Sequence, residues 1–223
     1  MPEIDQIVRS KRKTIALVIQ RDGALIVRAP LRMPEKAIRE MVAQKAEWIA
    51  RAQAKMRANP PIAGTYKFID GEKFLLMGAR HPLKIVKNQR ANLTFEAGTI
   101  FLAEKAHPRA REAFTLWYRK LAATLLPGRV EALARKHGFK PGKIRITSAR
   151  TRWGSCSSTG TISLTWRLIM APPEVIDYVI IHELAHLDIK NHSKTFWQAV
   201  AVLLPEYKTH LAWLKNNGQT LDI

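Results

Sequence analysis

Cysteine is almost absent from this chain. The single thiol, Cys156, excludes an internal disulfide and fits a reducing compartment, which makes the cytoplasm the expected location. Long apolar runs are missing as well. Stretches such as residues 175–181 fall far short of the roughly 20 residues that cross a bilayer, and residues 1–10 carry Glu3, Asp5 and Arg9 where a signal sequence has an apolar core, so no membrane partner is expected. There is no fixed-period repeat and no low-complexity tract. What remains is an ordinary folded protein, 223 residues long and 47% hydrophobic, with enough chain for a sizeable core in one large domain or two small lobes.

Acidic side chains are also scarce, 18 against 37 basic ones, for a formal charge of +19. The imbalance is uneven. Residues 1–60 carry 13 basic and 6 acidic groups and residues 106–150 carry 11 and 2, whereas residues 151–223 balance at 6 of each. A basic surface on the first two stretches is suited either to solubility or to a nucleotide or nucleic-acid partner, but no recognition helix, zinc finger or aromatic-rich RNA motif accompanies it.

Residues 14–20 and 24–29 are short runs rich in β-branched residues around the tight-turn sequence Arg21-Asp22-Gly23, which predicts a hairpin. After Pro34, Ile38, Met41, Val42, Ala46 and Ile49 recur at helical spacing, predicting one long helix that ends before Pro60-Pro61. Runs at 73–77, 82–87, 91–95 and 100–103, punctuated by glycine and asparagine, predict a small antiparallel sheet. Helical spacing returns over 108–137, where Pro127-Gly128 is expected to divide or kink the run before a Gly138 cap. Three strands follow at 144–149, 150–156 and 161–166, and Pro172-Pro173 then opens a helix with Glu174 in its first turn.

That last helix carries His182-Glu183-Leu184-Ala185-His186. Side chains four apart share a helix face, so His182 and His186 point at one ion while Glu183 reaches a water that the ion activates. As plain structure, the two histidines would be polar residues on a half-buried helix. The further histidine downstream argues otherwise. A catalytic zinc takes three protein ligands and keeps one position open. His192, separated from His186 by five residues, is the first choice for the third, with Asn191 supplying a helix-ending turn. Glu206 is the main competitor and His210 stands behind it, while His81, His107 and His137 read as surface or structural residues.

The segment HELAHLDIKNHSKTFW and the upstream TRWGSCSSTGTISLTWRLIMAPPEVIDYVI together resemble the YgjP-like metallopeptidase family, itself similar to the SprT-like and WLM zinc proteases. The resemblance implies an α+β fold with a zincin-like catalytic lobe, Zn2+ on His182, His186 and His192, Glu183 as general base, and a peptide or protein substrate. Metzincins have glycine where this chain has Ile189. We therefore expect a β-rich N-terminal portion with one long helix over 1–105 and a catalytic portion over 106–223.

Some members of the family are described as nucleotide pyrophosphatases, which keeps phosphoanhydride hydrolysis open beside peptide hydrolysis. A protein docked on nucleic acid through its basic surface is the third reading. Around the motif, residues 152–156 are a candidate edge strand for an extended substrate, which brings in Trp153 and Ser155. Arg152 and Arg167 are candidates to hold an oxyanion or a phosphate. For Trp153 and Trp166 packing under the helix is favoured over substrate contact, and Phe196 and Trp197 are expected to pack the following helix on it. Asp188 is a candidate acceptor for a ligand histidine. Cys156 reads as a small buried thiol, with a metal-binding role as the alternative.

Overall fold

The computed structural model describes residues 2–20, 23–58 and 66–223, and the chain divides into two compact units, Met1–Ile62 and Ala63–Ile223. Arg21, Asp22 and Pro60-Pro61 lie outside the described residues.

In the first unit, β1 (Gln6–Ser10), β2 (Ala16–Ile19) and β3 (Leu25–Pro30) form a sheet in the order β1-β3-β2. β2 and β3 pair antiparallel, as a hairpin requires, while β1 adds a parallel neighbour that the sequence does not announce. α1 (Glu35–Gln44) and α2 (Ala46–Ala58) replace the single long helix, with Lys45 between them at φ −103 and ψ 14. Leu25, Val27 and Ala29, alternating along β3, meet Ile38, Val42 and Ile49 in a small core of their own.

The second unit begins with β4 (Lys73–Leu76), β5 (Ala79–Val86), β6 (Leu93–Glu96) and β7 (Thr99–Ala103), ordered β4-β5-β7-β6. Two of its pairings are antiparallel, but β5 and β7 run parallel. This sheet lies in the same compact unit as the helices after residue 105, and Tyr118 of α3 (Ala110–His137) donates its hydroxyl to the Leu75 carbonyl at 2.6 Å.

Pro127-Gly128 does not divide α3. Ala122, Leu126, Val130 and Ala134 keep a buried stripe at four-residue intervals through the proline, and that burial holds the helix together across the backbone hydrogen bond that proline cannot donate. Gly138 closes the helix in the left-handed conformation, φ 78, with its N–H on Ala134.

A third sheet, β8-β10-β9, consists of β8 (Ile144–Thr147), the short edge strand β9 (Gly154–Cys156) and β10 (Ile162–Thr165). The strand expected from residue 150 is thus only its last part. β10 runs through a buried 3-10 turn, Trp166–Met170, into α4 (Pro173–Ala185), and the Met77-Gly78 hairpin tip donates to the Ile169 and Met170 carbonyls ahead of that helix. Asp177 of α4 accepts from Arg129 of α3, with one arm of the pair at 2.8 Å. α5 (Lys194–Leu203) and α6 (Tyr207–Asn217) complete the unit, with Phe196 and Leu214 buried in the main core.

Candidate active site

His182 and Glu183 stand on the last turn of α4, and His186 is its C-cap. The chain then turns through hydrogen bonds from the Leu187 N–H to the Leu184 carbonyl and from the Ile189 N–H to the Ala185 carbonyl. His192 comes back over the helix end. Asn191 does not end α4 as expected. Its side chain accepts from the Ser193 N–H at 3.2 Å, and Ser193 caps α5 by accepting from Phe196.

The three rings converge through their Nε2 atoms. His192 Nε2 lies 3.0 Å from that of His182 and 3.2 Å from that of His186, and the three form the histidine cluster found among the described residues. Nitrogens bound tetrahedrally to zinc at about 2.0–2.1 Å stand roughly 3.3 Å apart, so the spacing fits that ion. His186 Nδ1 donates to the Ile189 carbonyl at 2.9 Å, which leaves the lone pair on Nε2, facing the other two rings. That carbonyl takes the place expected for Asp188, whose side chain is exposed.

Burial and, after it, the neighbouring imidazoles push His182 down to about 4, and burial lowers His186 as well, so both are held neutral with lone pairs to offer. Phe196, fully buried, fixes the group. It stacks on His186 with centroids 4.4 Å apart and meets the edges of His182 and His192 at 4.9 Å each. Neither Glu206, which precedes α6 as its N-cap, nor His210 belongs to the cluster.

Glu183 is buried beside β9. Desolvation raises its carboxyl to about 7 against the opposing pull of Arg152 and of the Cys156 backbone N–H. An open cavity of about 320 Å³ adjoins it, lined on one side by Arg152, Trp153 and Gly154, on the α4 side by Tyr178, Val179 and His182, and on the α6 side by Leu211, Leu214 and Lys215.

Ser155 lies on β9 opposite Ser163 and does not line this cavity. Arg167 does not line it either. It is buried, donating to Asp222 at 2.9 Å and to the Ser148 carbonyl at 3.2 Å, with its guanidinium 4.3 Å over the Trp166 ring. The Cys156 thiol lies outside the histidine cluster, its pKa raised by burial. Tyr178, Val179, Leu211, Leu214 and Lys215 of the cleft escape the sequence reading. Tyr178 had a signal, one helical turn ahead of His182, whereas Lys215 had none.

A model of the YgjP-like metallopeptidase domain matches residues 13–217. The chain belongs to the YgjP-like family. As a member of a metallopeptidase family it falls among hydrolases, and the three histidines form a group that could hold a metal ion. Comparison with curated proteins gives no significant match. Among solved structures, the metallopeptidase zymogen of Pyrococcus abyssi abylysin is similar at 28% identity, over 44% of this chain and 100% of that one, with a TM-score of 0.39. No helix among the described residues is long and apolar enough to cross a membrane.

Proposed function

We propose that this YgjP-like domain is a zinc peptidase, with His182, His186 and His192 as metal ligands and Glu183 as general base. The observation that carries the reading is the convergence of three Nε2 atoms at the edge of a cleft whose wall holds a single buried carboxylate. Zinc bound there supplies a Lewis acid that polarises the scissile carbonyl and acidifies water. Glu183, whose carboxyl is raised to about 7, takes the proton of the attacking water and returns it to the leaving amine. The zincin-like lobe is the part from residue 106 onward, which contains every residue of this scheme.

β9 supports the substrate role assigned to it. Trp153 accepts from Thr165 of β10 and Ser157 donates to Thr161 just ahead of that strand, so by alternation the polar groups of Gly154 face the other way, along the cleft, where an extended peptide can pair with them. The cleft retains Arg152 and Trp153 as substrate contacts and not Ser155 or Arg167. Hydrolysis of nucleotides loses one of its two supporting arginines, because Arg167 is already engaged by Asp222.

Zinc-loaded protein offered a peptide library and a nucleotide panel tests this, with Glu183→Gln as the blank. Peptides should be cleaved, and the variant should keep its zinc while turnover falls about 10²–10⁴-fold. Wild-type turnover in the variant would remove Glu183 from the chemistry, and cleavage confined to nucleotides would overturn the peptidase reading.

A further inference from the structure

The cavity beside the histidine cluster starts on the helix that bears the motif. Tyr178 and Val179 lie one turn ahead of His182 and Glu183 on α4, about 5.4 Å along its axis, and all four line the cavity. Most of the lining is apolar. Tyr178, Val179 and Leu214 belong to the main core, and Trp153 and Leu211 pack against it, so a hydrocarbon group seated among them would extend that core. The Trp153 wall is fixed at both ends. Its carbonyl accepts from the Thr165 N–H at 3.0 Å, and its ring sits so closely on Gly218 that a β-carbon there would stand 2.7 Å from it.

From this arrangement we infer that the cavity is a specificity subsite for one large apolar side chain, of the size of leucine or phenylalanine, carried by a residue that adjoins the cleaved bond. The inference rests on the peptidase reading and adds its substrate class.

Place, size and charge select that occupant. An extended peptide advances about 3.3 Å per residue, so a side chain that enters a cavity one helical turn from His182 belongs to a neighbour of the bond. A volume of about 320 Å³ is at the lower end of the roughly 300–1,000 Å³ of small-ligand sites, which is room for one large side chain. A charged side chain would give up its water to an apolar lining. A cation would also meet Arg152, and an anion would meet the carboxylate of Glu183, the only acid of the lining, which already accepts from the Cys156 N–H. An apolar side chain incurs neither repulsion.

The test uses the zinc-loaded full chain and acetylated, amidated pentapeptides that differ only in the central residue: Phe, Leu, Ala, Lys or Glu. Binding is measured by calorimetry on Glu183→Gln, and kcat/KM on the wild-type protein. The Phe or the Leu peptide should exceed the Ala peptide about tenfold or more in both, since a single methylene in an apolar pocket is worth about that much. The Lys and Glu peptides should fall below Ala. Leu211, half-exposed on α6, offers the variant. Leu211→Trp fills the cavity and should invert the order, with Ala ahead of Phe, a reversal that a merely structural role for Leu211 would not produce. Leu211→Ala removes part of the wall and should weaken the preference without inverting it.

The outcomes separate the two readings. Equal cleavage of the Phe, Leu and Ala peptides would overturn the subsite and leave the peptidase standing. Apolar peptides bound selectively but never cleaved would sustain the subsite and remove the peptidase. Equal or absent binding across the series, or a preference for Lys or Glu, would overturn the apolar assignment.

Discussion

The larger unit contains two polar centres built on opposite terms. At Arg167 and Asp222 two buried charges face each other at 2.9 Å, Arg167 also reaches the Ser148 carbonyl, and Arg150 approaches the same carboxylate at 3.4 Å. At His182, His186 and His192 three rings turn their acceptor atoms towards one another beside an open cleft, with an aromatic wall behind them and no acid in the cluster. The first centre is complete within the protein and anchors residues 218–223 to the turn ahead of α4. The second, on the function proposed above, is completed by a cation from outside. Burial alone does not separate a functional polar group from a structural one; what separates them is whether its partners come from the chain.

The largest effect should come from removing a donor at the incomplete centre. His192→Ala should lower zinc affinity by more than the roughly 10–100-fold typical of losing a partner that only orients a ligand, and activity with it, whereas Glu206→Ala should retain zinc. Metal analysis after equilibration with buffered zinc decides this. Zinc kept by the His192 variant and lost by the Glu206 variant would move the centre elsewhere.

A smaller effect, and one of a different kind, belongs to the complete centre. Asp222→Ala leaves Arg167 buried without its carboxylate, and breaking such a pair costs about 3–5 kcal/mol. Denaturation at fixed zinc concentration should show that loss, while Arg152→Ala, at an exposed position, should stay within about 0.5 kcal/mol of wild type. Equal stability of the two variants would erase the distinction between the centres.

The same contrast explains what the sequence made legible. The helix bearing the motif was readable because its signals are local: Pro172-Pro173 at its start, an apolar run, and two histidines four apart. The β2–β3 pairing was readable for the same reason, being a hairpin across a short turn. The parallel pairings β1–β3, β5–β7 and β8–β10 join strands that are not linked by tight turns, and no local pattern encodes them. Arg152 and Arg167 were indistinguishable in sequence because their difference lies in Asp222, 55 residues from Arg167. Asp188 was a reasonable acceptor for a ligand histidine by spacing, but the turn after α4 presents the Ile189 carbonyl instead.

The smallest of the three changes tests how the chain aims the carboxylate of the incomplete centre. A β-carbon built on Gly154 would stand 2.6 Å from Glu183 Oε1, 2.7 Å from its Cγ and 2.9 Å from its Cδ, so the present position of Glu183 exists only because residue 154 has no side chain. In Gly154→Ala the obstructing atoms all belong to one side chain that can rotate, so the fold should survive with little change in melting temperature. The three histidines lie outside this contact and should keep their zinc. Glu183, however, must swing away from the Cys156 N–H and from the point where it meets the attacking water. A displacement of about 1 Å at a reacting group can cost roughly 10²-fold in rate. Turnover should therefore fall by about that factor, with the loss in kcat rather than in KM, and Gly128→Ala on the exposed side of α3, where nothing lies within 4 Å, serves as the control substitution. Unchanged kcat in a zinc-loaded Gly154→Ala protein would show that β9 does not set the position of the base, and the cleft wall would then have to be assigned to substrate alignment alone.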